Sequence, residues 1–293
     1  MTKKDSNEAK RLAAIKLNKR QAEFYNSISL KEDEEAFTGY RRNKNANIIT
    51  KLWAKLRYAQ QDAFEAVGID TIKDQFLIDS CNEKAGGRFL EIGCFRGTRY
   101  SDPIIDCAGS YTGIDLSPSA IQAFQNAVDR DGRWKKIDLI AGDLLEHNPS
   151  EKYDVLFAHG VLHHFESPDI LFSHLNTLVK PGGLLICAEP SQVNMIFKFI
   201  RSLYRPFQSD KLWEWPFDKT TIRNLEYFFS IERGFGWGRY SMPLSLLHTV
   251  PIFGVILRPL YEWLLNREIN QQLNPSIWLN STVVLCCRSK KLD

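Results

Sequence analysis

The chain has 293 residues, of which 44% are hydrophobic and 25% are charged, and its formal net charge is +3. This length and composition predict a soluble protein with one large domain and additions, and the small charge gives no argument for a nucleic-acid partner. The six cysteines lack metal-ligand spacing, and the adjacent pair would point to opposite faces of a strand, so we expect neither a metal site nor a disulfide framework. Reduced cysteines and an N-terminus without an apolar core predict a cytoplasmic location.

Residues 1–85 have helical patterns and form a predicted N-terminal extension, which we expect to act as a lid. The first part of this extension is basic, and we favour a solvated helix face over a nucleic-acid arm; its cations are Lys3, Lys4, Lys10, Arg11, Lys16, Lys19 and Arg20. Residues 36–47 are mostly polar and include one glycine and three asparagines, so they predict a loop over the pocket described below.

Residues 86–293 alternate between strand and helix patterns. Strands are predicted over 88–92, 110–115, 137–141, 153–159 and 183–189, with helices beginning near 98, at Pro118 and at Pro168. The Lys-Pro-Gly-Gly segment at 180–183 should end a helix before the fifth strand. A candidate strand near 230–235 and a final strand over 281–287 follow. This alternation predicts an α/β fold with right-handed crossovers and a mainly parallel sheet.

Three successive predicted strands lead into a carboxylate. Glu91 is followed by Gly93 and Gly97, Asp115 ends the second strand, and Asp143 follows the third. Glycine lets the chain turn sharply and lets a ligand approach bare main chain. Because the carboxyl ends of parallel strands meet at one edge of a sheet, these residues predict a nucleotide pocket at that edge.

The succession of motifs resembles that of class I S-adenosylmethionine-dependent methyltransferases. The resemblance covers residues 86–190 and rests on Glu91-Ile-Gly-Cys-Phe-Arg-Gly97, Gly113-Ile-Asp-Leu-Ser117, Ala141-Gly-Asp-Leu144, the segment 153–164 and Leu178-Val-Lys-Pro-Gly-Gly183. One glycine motif would be a weak signal, whereas five motifs in order are not. The resemblance implies a Rossmann-like seven-stranded sheet with an antiparallel last strand, helices on both faces, and S-adenosylmethionine lying across the first four strand ends.

The resemblance also implies how individual residues meet this cofactor. Glu91 would face its cationic end, directly or through water, and Asp115 would accept hydrogen bonds from both ribose hydroxyls. Asp115 also precedes Ser-Pro and has an alternative role as a helix cap. Asp143 with the Leu144 amide would meet the adenine edge, and Leu116 and Leu144 would sandwich the ring. The other expected cofactor-binding residues are Gly93, Cys94, Gly97 and His159.

Phe95 departs from the family pattern, because the usual motif has a third glycine at this position. The loop keeps Gly93 and Gly97, so we expect cofactor binding to survive, with the Phe95 ring pointing away from the cofactor. This departure is the support for an alternative hypothesis, in which the protein binds cofactor as a non-catalytic scaffold. The loop lacks both the G-x-G-x-x-G of nicotinamide folds and the lysine of phosphate-binding P-loops, which disfavours hydride and phosphoryl transfer.

Methyl transfer to oxygen or nitrogen requires an oriented acceptor and removal of a proton. The candidate bases are His163 and His164 after the fourth strand and Glu189 at the end of the fifth, although each could instead order its loop. We predict O-methylation of a small molecule or of a lipid- or glycan-linked acceptor. The alternative is an RNA- or DNA-modifying enzyme that uses the basic N-terminal helix.

An apolar insertion over 239–279 is expected to help choose the acceptor. Residues 240–257 carry no formal charge, but Pro243 and Pro251 interrupt them, so a membrane span is not expected. We favour a pair of helices that covers the acceptor pocket or forms a homodimer contact. The alternative is a hairpin over 240–265 that contacts the inner face of a membrane peripherally. Aromatic residues within 213–217 are expected near the opening of the same acceptor pocket.

Overall fold

A computed structural model describes residues 3–29, 64–65, 68–132, 136–207, 212–245, 251–270 and 275–291, and all structural statements concern these residues. The predicted loop over 36–47 lies outside them. The described helices are α1 (Lys3–Ser29), α2 (Ile69–Asn82), α3 (Ser101–Cys107), α4 (Pro118–Asp131), α5 (Pro168–Leu178), α6 (Met195–Tyr204), α7 (Lys219–Phe228), α8 (Ser241–Ser245) and α9 (Pro251–Ile269).

Seven strands form one sheet in the order β3-β2-β1-β4-β5-β7-β6. They are β1 (Arg88–Ile92), β2 (Ser110–Asp115), β3 (Ile137–Ala141), β4 (Tyr153–His159), β5 (Val179–Pro190), β6 (Phe229–Trp237) and β7 (Thr282–Ser289). Strands β1 to β5 pair in parallel, whereas β7 runs antiparallel to both β5 and β6. The predicted seven-stranded, mainly parallel sheet with an antiparallel last strand is therefore confirmed.

Two elements begin three or more residues away from the predicted position, and the last two strands each end two residues later than predicted. Strand β5 begins at Val179 rather than near 183, because the Pro-Gly-Gly segment continues the strand through an irregularity in its pairing with β4 instead of forming a separate turn. Helix α3 begins at Ser101 rather than near 98. Its late start has a local cause, since the Thr98 amide donates to the Ser101 hydroxyl at 2.8 Å and the Thr98 hydroxyl donates to Glu91 at 2.8 Å.

The sheet divides two apolar clusters, one on each face. One cluster contains side chains of α5 and α7, and the other contains side chains of α2, α3, α4 and α9. Successive strand residues point to opposite faces, and accordingly Cys287 belongs to the first cluster and Cys286 to the second. All six cysteines are free thiols. With helices packed on both faces, the polar carboxyl edge of the sheet is the place left for a site.

The insertion between β6 and β7 forms helices α8 and α9. Tyr261 and Leu265 of α9 are buried in the second apolar cluster. The buried carboxylate of Glu268 accepts hydrogen bonds from the backbone amides of Gly238, Tyr240 and Ser241 and from the Ser241 hydroxyl. This carboxylate ties α9 to the end of β6. Among the helices that the structure describes, none is long and apolar enough to cross a membrane.

Candidate functional site

The loop after β1 turns through left-handed backbone conformations. Gly93 has φ 72° and Gly97 has φ 88°. A Cβ atom at Gly93 would come within 2.8 Å of the Val161 side chain, and one at Gly97 within 2.9 Å of the Phe124 ring. Both positions therefore require glycine for conformation and for space. The loop closes on itself through a hydrogen bond from the Gly97 amide to the Cys94 carbonyl at 2.9 Å.

Phe95 also adopts a left-handed conformation, with φ 47°. Its ring is half-buried, and the Arg96 guanidinium lies 5.9 Å from the ring centroid. The backbone turn directs the Phe95 amide to Asp115, whose Oδ2 accepts it at 3.0 Å. The backbone at Phe95 therefore has a conformation that glycine adopts more easily than phenylalanine does. This explains why the family pattern has glycine at this position.

The conformation of Phe95 leads to a prediction about stability. We expect Phe95→Gly to raise the free energy of unfolding by up to about 1 kcal/mol, because relief of the left-handed backbone exceeds the entropy that glycine loses on folding. Phe95→Ala is the matched control, since it removes the ring but keeps the unfavourable backbone conformation. Urea unfolding followed by circular dichroism measures both variants. A glycine variant no more stable than the alanine variant would contradict the prediction.

Asp115 holds the loop and the next helix together. Its Oδ1 accepts the Ser117 amide at 2.8 Å, and Ser117 in turn caps α4 by accepting the Ala120 amide at 3.2 Å. Burial raises the pKa of Asp115, and the amides of Ser117 and Phe95 oppose that shift. Leu116 follows, half-buried. Each Asp115 oxygen has a second lone pair, so the carboxylate can still accept from a diol at the strand end.

Glu91 and Cys94 lie deeper than the sequence predicted. Glu91 is buried and its two oxygens accept the Thr98 hydroxyl at 2.8 Å and the Tyr111 hydroxyl at 2.6 Å. Burial raises its pKa. These donors show Glu91 supporting the loop, while its contact with a cofactor stays a prediction. Cys94 is buried in the second apolar cluster, so its thiol points into the core and it can offer a ligand its backbone only.

Asp143 binds the N-terminal helix. Its Oδ1 accepts the Leu145 amide at 2.9 Å, and both oxygens accept Asn18 Nδ2, at 2.9 and 3.0 Å. Burial raises the pKa of Asp143, and these hydrogen bonds oppose the shift. Leu144 is buried in a one-turn helix beside it. A carboxamide from α1 therefore occupies the hydrogen-bonding edge that the sequence assigned to adenine.

Helix α1 crosses the carboxyl ends of several strands. Asn26 Oδ1 accepts hydrogen bonds from Ser117 and Ser119 after β2, and Lys10 pairs with Asp169 at the start of α5 at 2.8 Å. Arg11 donates to the Leu145 carbonyl at 2.7 Å. The buried positions of α1 are Ala14, Asn18 and Gln21, which share one helical face. These amides could not be predicted from the sequence, because a buried polar stripe gives no apolar periodicity.

The ends of β4 and β5 form a second cluster. Glu189 is fully buried, and it accepts the amides of Val161, Leu162 and His163 at 3.1, 2.9 and 3.4 Å. Its Oε2 also lies 2.7 Å from Nδ1 of His163. Burial raises the pKa of Glu189 to about 7, against the opposing effect of the Leu162 and Val161 amides. Glu189 therefore orders the loop after β4 and fixes the orientation of His163.

His164 is held by a different partner. Its Nδ1 lies 2.6 Å from the Trp213 carbonyl, and its ring stacks near that of His163 with centroids 4.1 Å apart. The Tyr25 hydroxyl of α1 approaches the same imidazole at 3.3 Å. Because a carbonyl can only accept, Nδ1 of His164 is the protonated nitrogen and Nε2 is the basic one in the neutral ring. The predicted aromatic segment 213–217 thus does lie beside the histidine loop.

His159 lies apart from His163 and His164. Its ring lies 4.7 Å from that of Tyr100, whose hydroxyl donates to Asp74 of α2 at 2.6 Å. Surrounding protein atoms, followed by the charges of Lys73 and Arg99, lower the pKa of His159. More than a third of its surface is open to solvent, so the lowering is smaller than complete burial would give. A neutral imidazole is expected at this strand end.

The ionisation of Glu189 leads to a prediction about pH. Its pKa is raised from 4.5 to about 7 in the folded protein, so the folded state binds the proton more tightly than the unfolded state. Its contribution to stability is full below pH 4.5 and is lost as the pH rises to about 7. We expect the free energy of unfolding of the wild type to fall by about 2–3 kcal/mol relative to Glu189→Gln across that window.

The matched control for this pH prediction is Glu166→Gln, which removes one negative charge from an exposed position of the same loop. Denaturant unfolding of this control at several pH values measures how the loss of one negative charge from the loop changes the free energy of unfolding. A difference between wild type and Glu189→Gln that stays constant with pH would show that Glu189 does not titrate in this window.

The site residues so described favour a neutral or cationic ligand over a phosphate. Asp115 and Asp143 lie at the ends of the neighbouring strands β2 and β3, and both carboxylates accept backbone amides. Within the described ranges, no three His, Cys, Asp or Glu side chains come together in a way that could hold a metal ion. These carboxylates are hydrogen-bond acceptors with negative charge, which suits a ribose diol and a positively charged group.

Comparison with known proteins identifies the domain that carries this edge. Residues 90–185 match the family model described as a methyltransferase domain. The order and direction of the seven strands agree with this match. The chain contains a class I methyltransferase domain.

Curated relatives of the methyltransferase domain include O-methyltransferases. The chain is 30% identical over 97 residues to malonyl-[acyl-carrier protein] O-methyltransferase 2 of Ilyobacter polytropus, covering 33% of this chain and 37% of that one. It is 30% identical over 131 residues to the ubiquinone biosynthesis O-methyltransferase of Maricaulis maris, covering 44% and 50%. The chain thus spans half or less of the length of these relatives, and the likeness concerns the methyltransferase domain.

A solved structure supports the fold. The N-methyltransferase NodS of Bradyrhizobium japonicum WM9, in complex with S-adenosyl-l-homocysteine, superposes with a TM-score of 0.50 at 15% identity, covering 81% of this chain and 99% of that one. Of the candidate site residues, Glu189 alone lies beyond the matched range 90–185 of the methyltransferase domain. Helices α1, α2 and α6 to α9 also lie outside this range.

Proposed function

We propose that this protein transfers a methyl group from S-adenosylmethionine to an oxygen atom of a small-molecule or lipid- or glycan-linked acceptor. The observation that carries the proposal is the carboxylate of Asp115 at the end of β2, fixed by the amides of Phe95 and Ser117 beside a glycine loop. Oxygen is favoured as the methylated atom because both curated relatives named above are O-methyltransferases.

The residues of the edge fit the donor by their chemistry. Asp115 has lone pairs left for ribose hydroxyls, and Asp143 can accept from an exocyclic amine once Asn18 releases it. Half-buried Leu116 offers apolar surface beside these acids, whereas Leu144 is buried in the core, and Glu91 adds negative charge behind the loop. When bound, S-adenosylmethionine supplies a methyl carbon already activated by positively charged sulfur. The remaining work of the protein is orientation, exclusion of water and removal of a proton.

We assign the proton acceptor to His163. Its Nδ1 lies against the Glu189 carboxylate, which orients the ring, leaves Nε2 as the basic nitrogen and stabilises the imidazolium that forms. Glu189 already accepts three backbone amides, so it supports the base rather than touching the acceptor. His164 is held by the Trp213 carbonyl, a neutral partner that stabilises an imidazolium less.

Helix α1 is proposed to act as a lid. Asn18 meets Asp143 after β3, Asn26 meets Ser119 after β2, and Tyr25 meets His164. Lys10 and Arg11 are engaged with the methyltransferase domain itself, which favours this role over the alternative of a basic arm for RNA or DNA. The scaffold alternative is disfavoured because Phe95 keeps the loop in the conformation that Asp115 needs.

The proposal is tested first by calorimetric titration of the full chain with S-adenosylmethionine and S-adenosylhomocysteine, with NAD as the control ligand. Transfer of labelled methyl groups is then measured on a panel of phenols, quinols, carboxylates, hydroxylated lipids and glycans. Binding of both sulfur ligands with transfer to an oxygen acceptor supports the proposal. Binding of NAD alone, or binding of the sulfur ligands without transfer to any acceptor class, would oppose it.

A further inference from the structure

Helix α6 exposes an apolar face that no described part of the molecule covers. The exposed fractions are 74% for Met195, 59% for Ile196, 63% for Phe199 and 59% for Leu203. These positions follow the spacing i, i+1, i+4 and i+8, which places them in one stripe about 100° wide along the helix. On the other side, Phe197 is 5% exposed and packs into the protein. Phe197 thus anchors one side of α6, while four apolar side chains face outward.

The charge of this segment favours one kind of partner. Residues 194–207 contain three cations and no acidic residue. Lys198 lies exposed beside the apolar stripe. Arg201 pairs with Glu214 at 3.3 Å, and Arg205 donates to the Glu214 carbonyl at 3.1 Å, so both hold the helix in place. An exposed apolar stripe flanked by positive charge is the arrangement of a helix that lies in the interface of an anionic bilayer.

The position of α6 connects this face to the proposed reaction. The helix follows β5 a few residues after Glu189, and Arg201 within it and Arg205 just after its end both bind Glu214. The neighbouring carbonyl, that of Trp213, holds His164. The same short segment therefore joins α6 to the histidine loop where the acceptor should approach. A membrane bound by α6 would lie next to that loop.

We propose that α6 docks this protein on anionic lipid bilayers, so that a membrane-borne acceptor can reach the histidine loop. The docking surface consists of Met195, Ile196, Phe199 and Leu203, with Lys198 at its margin. The inference rests on the proposed function only for the class of acceptor, because lipid binding itself needs no methyl transfer. It differs from the expectation drawn from the sequence, which put peripheral membrane contact within 240–265.

The test uses the full chain and flotation with phosphatidylcholine vesicles, with and without phosphatidylglycerol. The α6 variant is Met195→Ser with Phe199→Ser, and the matched control is Ile256→Ser with Leu260→Ser, which changes two exposed apolar residues of α9. We expect the wild type and the control to bind vesicles that contain phosphatidylglycerol. The affinity of the α6 variant for these vesicles should be lower by a factor of at least about ten. Lys198→Glu should weaken binding to the anionic vesicles and leave binding to neutral ones unchanged.

Three outcomes would overturn the docking surface. The first is failure of the wild type to bind either vesicle type, and the second is loss of binding in the α9 control while the α6 variant keeps it. The third is that the α6 residues join two copies of the chain. The last case appears in light scattering as a wild-type dimer that the α6 variant dissociates. Calorimetry with S-adenosylhomocysteine on every variant separates these outcomes from a failure of the proposed function, since cofactor affinity should be the same in all of them.

Discussion

Asp115→Ala is expected to weaken the binding of S-adenosylhomocysteine by about a hundredfold or more. The carboxylate can accept both ribose hydroxyls, and hydrogen bonds to a charged acceptor contribute about 1.5–3 kcal/mol each. The substitution also removes the acceptor of the Phe95 and Ser117 amides, so the loop loses its anchor as well. Isothermal titration calorimetry measures the affinity directly, and thermal unfolding reports whether the variant remains folded.

Asp138→Ala is the control for this change, because Asp138 is an exposed acid of the adjacent strand β3 and its loss alters the net charge equally. Its affinity for S-adenosylhomocysteine should equal that of the wild type. Asp115→Asn keeps the shape of the side chain and one acceptor oxygen, so an intermediate affinity is expected. If Asp115→Ala binds within about threefold of the wild type, the assignment of the ribose site to the end of β2 is wrong.

His163→Gln is expected to lower kcat by about a hundredfold or more while leaving the affinity for S-adenosylhomocysteine unchanged. A positioned general base contributes about 10²- to 10⁴-fold, and glutamine keeps a polar group of similar reach without basicity. The rise of kcat with pH at the acid side, which reports deprotonation of the base, should disappear in the variant. Steady-state kinetics across pH, on an oxygen acceptor identified in the labelled-methyl panel, measures both effects.

His164→Gln serves as the paired variant, since it changes the adjacent ring, whose partner is the Trp213 carbonyl rather than a carboxylate. We expect a smaller loss of kcat and a retained pH dependence. The reverse result, with His164→Gln inactive and His163→Gln nearly normal, would assign the base to His164. Glu189→Gln should weaken the activity through His163, with the acid side of the profile displaced rather than abolished.

Much of the sheet could be predicted because its strands are apolar runs that end at identifiable residues. Glycines mark the turn after β1, and Ser117 followed by a proline marks the start of α4. Once strands and crossovers are assigned, the carboxyl edge and the acids that lie along it follow from topology. The predicted histidine loop and Glu189 are likewise close together because β4 and β5 are neighbours.

Other parts of the site could not be predicted for a physical reason. The face that α1 turns to the sheet includes the buried amides Asn18 and Gln21, and Asn18 donates hydrogen bonds to Asp143 instead of packing as a hydrophobic residue would. The conformation of Phe95 depends on Asp115, twenty residues away, and phenylalanine gives no local sign of it. The exposed face of α6 is apolar by sequence and would ordinarily be assigned to the core, so only the structure shows that it is uncovered.

The place of β7 in the sheet has a consequence for the order in which the protein folds. Strand β7 lies between β5 and β6, and β6 has no other neighbour among the described strands. During synthesis, β6 and one edge of β5 must therefore remain unpaired until residues 282–289 emerge from the ribosome, after helices α8 and α9. Exposed strand edges invite pairing with other chains, so we expect nascent chains paused before residue 282 to aggregate or to recruit chaperones.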